Sequence, residues 1–550
     1  MVVRRRQKSV TMCARRYKGT GMKRRNLLAG SAALAAIGTS GLARPAIAQT
    51  GSAKVLRFVP QANLANPDPI WTTATVAINH GYMVWDTLYG IDDALVGKPQ
   101  MCAGHDVSAD ELTWTFTLRD GLKFTDGEPV RGIDCTTSIA RWAVKNPFGQ
   151  QLATQTDEMK PLDDKRFQIR LKKRFRQMLY ALGSQNCFVM PERMAKTSAA
   201  EQIKEFIGSG PFIFKQDEWV SGASAAYVKN PNYVPRQEKP EYYSGGKNVN
   251  FERVEWIVQP DPATASAALQ TGEVDWLEFP VLDLLPMLRK SPGCEVARYD
   301  PLGSLAIIAF NHLYPPFDNP KLLRALLPAI DQKEYVTAWV GEQQDLGKYP
   351  VGFFTGNAPL ANDAGMEAFT APRDLAKAKR LVAESGYKGE KIVLMAPSDQ
   401  PSLVAPSQLT RELFVKLGLN IDYQVMDWGT LVARRAKQDP PAQGGWNIFH
   451  TTWGGLATAN PGSSYPLRGN GRQGWFGWPT DTKMEELRDQ WFDAADLAAQ
   501  KEICERIQLQ AFDSVPFMPI GQWYYPWAFR KDLTDFVQCA AVLFWGVRRA

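Results

Sequence analysis

Hydrophobic and polar positions along this chain change period in ways that helices and strands impose. Trp114-Thr115-Phe116-Thr117-Leu118 is apolar at every second position, the mark of a strand buried on one face. Asp120-Gly121 follows as a hairpin turn, and Asp126-Gly127 marks another. Val55–Val59, Arg166–Leu171, Phe212–Lys215 and Val254–Val258 read as further strands, and another starts at Val274-Asp275-Trp276. Helices are predicted over 76–89, 134–144 and 264–271, the last closed by Gly272. The second half changes character. Leu305–Phe310 is apolar throughout, as in a strand covered on both faces. Helices over 321–330, 375–385 and 409–417 follow, with strands over 392–395 and 420–425, an alternation that implies an α/β lobe. A Gly/Trp-rich loop region over 444–479 holds one strand, Trp446–His450. A long helix over 483–512 and strands around 518–530 complete the chain.

Charge alters this picture only at the N-terminus. The chain has 550 residues and a formal net charge of +7. Residues 1–48 hold eleven Lys/Arg and no acid; without them, 53 of the 64 basic residues remain against 57 acidic ones. A phosphate-neutralising surface is therefore not expected, and nucleic acid is excluded as a partner. Lys23-Arg24-Arg25 precedes an uncharged, Ala/Gly/Leu-rich stretch that ends in Ala46-Ile47-Ala48 before Gln49. This is the layout of an export signal cleaved after about Ala48. Arg24 and Arg25, followed by Asn26-Leu27-Leu28, resemble a twin-arginine signal, with the general secretory route as the alternative. Met22 is a second candidate start. The expected location is the periplasm.

Cysteine and histidine usage excludes several chemistries. Six cysteines follow the signal, none two or three residues from another, so no zinc-knuckle or redox pair is expected. Export permits disulfides, but the spacing fixes no connectivity; several of the six are expected as buried small apolar residues. The four histidines, His80, His105, His312 and His450, show no metal-ligand spacing. No metal or cofactor is expected. There is no G-x-S-x-G elbow, Walker loop or G-x-G-x-x-G; Gly222–Ala226 only echoes the elbow and reads as a polar loop. An enzyme is not expected.

Six segments in order carry a resemblance: Trp114–Val130 (WTFTLRDGLKFTDGEPV), Gly208–Phe214 (GSGPFIF), Asn230–Val234 (NPNYV), Leu269–Trp276 (LQTGEVDW), Phe310–Asp331 and Ala376–Tyr387 (AKAKRLVAESGY). Together they resemble the family 5 extracellular solute-binding proteins, the peptide/nickel-type binding components of ABC importers. The resemblance implies an α/β, two-lobed periplasmic-binding-protein fold of type II, with an extra inserted subdomain. Lobe I would comprise 49–95, 209–303 and 515–550, the insert 96–208 and lobe II 304–514. Crossovers near 304–310 and 512–520 would form a hinge. The implied protein is a monomer that closes on a small solute and delivers it to a membrane permease powered by a cytoplasmic ATPase. The alternatives are a secreted hydrolase with a Trp-lined cleft, or a periplasmic sensor or chaperone on the same fold.

Seventeen tryptophans offer apolar walls with one polar handle each. Trp428, Trp453, Trp475 and Trp478 are candidate ligand contacts, Trp453 above all, in the glycine-flanked run Thr451-Thr452-Trp453-Gly454-Gly455 read as a loop. Trp71 and Thr72, Trp142, Asn311, His450, Gln522 and Trp523 are the others, His450 as a partner for a ligand carboxylate. Peptide-binding relatives place an Asp three residues after this Trp to hold the ligand's ammonium group. Here that position is Leu456, which counts against ordinary peptide recognition, since a buried ammonium needs a paired acid. Trp-rich walls with few charged anchors lean toward a neutral or amphipathic solute: a short or modified peptide, an amino-acid-derived or opine-like compound, or an oligosaccharide.

Overall fold

The computed structural model describes residues 54–184 and 186–550. The export-signal residues Arg24, Arg25, Ala46, Ala48 and Gln49 lie outside the described residues.

The first of two large sheets grows around Val55–Val59, whose Leu56 and Phe58 are fully buried. This strand runs parallel to Arg253–Ile257 on one side and to Trp276–Leu277 on the other. Ser224–Lys229 and Phe212–Phe214 extend the sheet antiparallel beyond the first neighbour, and Trp527–Arg530 and Cys294–Ala297 beyond the second. Ser224, in the elbow-like run, thus opens a strand.

The apolar run at 304–310 sits where its pattern requires, in the interior of the second sheet. Ser304–Phe310 pairs antiparallel with both Ile448–Gly454 and Phe517–Trp523. Lys391–Pro397 runs parallel to Ile448–Gly454 and to Asn420–Met426. The strand's two faces meet different cores. Ala306, Ile308 and Phe310 pack with Leu322, Leu326 and Phe414, whereas Leu305 and Ile307 share a core with Phe353 and Phe517. Burial on both sides is why alternation is absent from this run.

A third sheet, antiparallel throughout, orders Cys102–Val107, Thr113–Leu118, Arg166–Leu171 and Thr156–Pro161. Trp114, Phe116 and Leu118 are its buried face. The adjoining helix Gly132–Ala143 starts where Asp134 accepts a 2.8 Å hydrogen bond from the Arg131 N–H. Near its other end Arg141 reaches Asp68 at 2.6 Å, with both side chains almost wholly buried. Asp68 also accepts from the N–H groups of Ile70 and Ile203, each at 3.0 Å, so one carboxylate ties together three segments distant in sequence. On its other side this region packs on helix Thr482–Asp493, with Phe148 edge-on to Phe492 at 5.4 Å.

Several expectations are corrected. The runs 304–310 and 517–523 are paired strands of the second sheet, so the chain passes between the large sheets at 298–303 and 524–526. Ser304 is opposite Trp523, which makes the two crossings neighbours. The strand at 517–523, expected with the first lobe, is held by hydrogen bonds to 304–309. The helix expected over 483–512 is two helices, Thr482–Asp493 and Leu497–Ser514. Ala494 leaves helical geometry, and Asp496 caps the second helix through the Ala499 N–H at 2.9 Å. The helix expected from 409 begins at Pro401, where a missing N–H costs nothing, and runs through Pro406. The strand expected over 446–450 is Ile448–Gly454, so Trp453 is the last but one residue of a strand and is not in a loop.

Candidate functional site

Parallel strands of both large sheets point their carboxyl ends at one place. Gln61–Asn63 follow Val55–Val59, and Glu278 and Phe279 follow Trp276–Leu277; Gln400 and Leu403 follow Lys391–Pro397, and Trp428 follows Asn420–Met426. All of them line a cavity of about 730 Å³ between the sheets. In α/β sheets, that crevice beyond the strand ends is where ligands bind, and the volume suits a small organic molecule.

One wall is aromatic. Trp453 stacks on Tyr465 with centroids 5.4 Å apart, and meets Trp475 edge-on at 5.2 Å. Across the cavity Phe279 and Tyr525 stack at 4.3 Å. Three charged groups join these surfaces. Arg435 lies on helix Trp428–Arg435, one helical face of which presents Trp428, Val432 and Arg435 to the cavity. Its guanidinium sits 4.8 Å from the Phe476 centroid and 5.7 Å from that of Trp428. Its Nε is buried without a hydrogen-bond partner, and no carboxylate among the described residues pairs with it. Burial lowers its pKa to about 10, which leaves it charged at neutral pH. Asp300, in the first crossing between the sheets, accepts from the Leu302 N–H at 2.9 Å and has no ion-pair partner among the described residues. Enclosure raises its pKa to about 7, against the pull of nearby Arg298. Glu278 is buried and likewise raised to about 7, but each of its oxygens is occupied, by the Gln61 N–H at 2.7 Å and by Asn79 Nδ2 at 2.9 Å.

Of the sequence-predicted contacts, the cavity gathers Thr72, Trp428, Trp453 and Trp475. The others lie elsewhere. Trp71 is 42% exposed and donates to Ala200 O at 3.1 Å. Trp142 is core, touching a separate pocket of about 50 Å³. Asn311 is buried and donates to Trp446 O, and Trp478 packs on Trp446. Gln522 is a tie at the crossings: it donates to Leu302 O at 2.7 Å and accepts from the Gly356 N–H at 2.8 Å. Trp523 is fully buried, stacked on Trp339. His450 is no carboxylate partner. Its ring nitrogens face Ser407 Oγ at 3.1 Å and Thr410 Oγ1 at 2.8 Å, and burial lowers its pKa to about 3, so it is neutral. Leu456 is packed in the core and adds nothing to the cavity. Sequence reasoning missed Arg435, Asp300 and Glu278, and with them the charge of the site. Only the i, i+4, i+7 spacing of Trp428, Val432 and Arg435 signalled a shared face.

The family model described as bacterial extracellular solute-binding proteins, family 5 Middle, matches residues 97–475. The chain belongs to this family. A probable peptide ABC transporter periplasmic-binding protein of Sinorhizobium fredii is 37% identical over 534 residues, covering 96% of this chain and all of the relative. Among solved structures, an A. tumefaciens R10 periplasmic binding protein in complex with agropinic acid superposes with a TM-score of 0.75 at 19% identity, covering 90% of this chain and 99% of that one. A dipeptide-binding protein of Pseudoalteromonas sp. SM9913 in complex with Met-Leu has a TM-score of 0.75 at 20% identity, covering 90% and 100%. The fold of this solute-binding protein is thus the two-lobed periplasmic-binding-protein fold. It serves as the binding component of an ABC importer.

Proposed function

We propose that this solute-binding protein captures a peptide-like or other amino-acid-derived solute between its lobes in the periplasm, after export on a twin-arginine-type signal removed near Ala48. The cavity carries this reading: aromatic walls and three charged side chains line it between the carboxyl ends of strands in both large sheets. Such a lining can cover apolar side chains and read polar groups at fixed points. The lobes divide at residues 298–303 and 524–526, with the insert attached through Asp68 and Arg141. Two short neighbouring connections suit a hinge, and the solute drives closure only by binding the closed form more tightly. The closed form then delivers its solute to the permease.

The test is a thermal-shift screen of the chain from Gln49, with di- and tripeptides, opines and oligosaccharides as separate arms. A solute present at 100 times its Kd stabilises the folded state by about 2.7 kcal/mol. A shift with peptides or opines is the expected result. A response to oligosaccharides alone would refute the amino-acid-derived class, and no response in any arm would refute solute capture.

A further inference from the structure

Two opposite charges face the same cavity, neither with an ion-pair partner among the described residues. Arg435 projects from the second-sheet side, its guanidinium lying over the rings of Trp428, Phe449 and Phe476. Asp300 stands in the crossing at 298–303, held by the backbone N–H of Leu302. Each is enclosed enough for its pKa to move against its charged form, and unpaired enclosed charges are costly to keep. Arg298 favours the charged form of Asp300 but makes no ion pair with it; its guanidinium stacks on the Tyr524 ring at 4.1 Å. Glu278 is the other acid of the cavity, but both its oxygens are taken.

We propose that Arg435 and Asp300 are the two ends of one zwitterion site, Arg435 binding the solute's carboxylate and Asp300 its ammonium group. This rests on the proposed solute capture and fixes its polarity. Leu456, in the run after Trp453, is packed in the core and gives the cavity no acid. The ammonium end falls to the crossing between the large sheets. A solute spanning the site would neutralise both charges at once, and would lock the crossing to the second lobe as it did so.

The test is calorimetric titration of the chain from Gln49 with the dipeptide Ala-Phe, its N-acetyl form, its C-terminal amide, and maltotriose as a neutral probe. Ala-Phe is expected to bind, with each blocked form weaker by tenfold or more. Arg435→Gln should weaken Ala-Phe at least tenfold and leave the amide unchanged, and Asp300→Asn should do the same with respect to the N-acetyl form. Arg435→Lys keeps the charge and should recover part of the binding. Circular dichroism confirms that each variant is folded. Equal losses for free and blocked probes would overturn the assignment, as would blocked probes that bind like the free one. Binding of maltotriose alone would overturn it while solute capture stands; no binding by any probe would overturn both.

Discussion

Asp300 illustrates what a binding residue costs a fold. Its carboxyl has an ordinary pKa near 3.8 and is raised to about 7 by enclosure. Below about pH 4 it is protonated whether the chain is folded or not, and the site costs nothing. Between about pH 4 and 7 the unfolded state gives up this proton while the folded state keeps it, so stability falls across that window and levels off above it. His80, His312 and His450 pull the other way: buried neutral, with pKa lowered to about 3, 4 and 3, they cost stability as pH falls below 6.5. A wild-type profile therefore mixes opposing slopes, and the informative comparison is with a variant. Solute-free Asp300→Asn should melt higher than wild type at pH 8, with the gap closing toward pH 4 by calorimetry. A residue that is worth removing for stability is one kept for another purpose.

Between elements, one buried tie is Asp68 to Arg141, which joins the loop after Val55–Val59 to the helix Gly132–Ala143 at 2.6 Å. Removing one partner of a buried pair strands the other's charge, at a cost of about 3–5 kcal/mol. Asp68→Asn should show that loss in chemical unfolding and leave solute affinity close to wild type, since Asp68 does not line the cavity. The sequence announced elements wherever burial left a periodic trace. Trp114–Leu118 alternates because only one face is covered, and Leu305–Phe310 does not because both are. The break at 494–496 escaped notice because Ala494 and Ala495 suit a helix, and only the capping role of Asp496 interrupts the run. Site residues were harder to read. Trp453 and Trp478 look alike in sequence, yet one faces the cavity and the other the core. Arg435 and Asp300 were missed because a charged residue in sequence is by default a solvated one, and enclosure is a property of the assembled lobes.

At the scale of the whole molecule, the order of six motifs pointed to the family and its fold, while the places where the chain crosses between sheets shifted by several residues once pairing was known. Cross-strand pairing of Ser304 with Trp523 puts both crossings side by side, so the proposed hinge would turn about a single line. The described residues hold six cysteines, Cys102, Cys135, Cys187, Cys294, Cys504 and Cys539, all buried and none bonded to another. A thiol reagent should therefore label none of them quickly in the folded protein and all six after unfolding in denaturant, counted by mass. With no disulfide among the described residues, the folded state has no bond that an oxidant must make. The lobes need no oxidant to lock them, so a chain folded in a reducing compartment and carried across a membrane already folded would arrive finished.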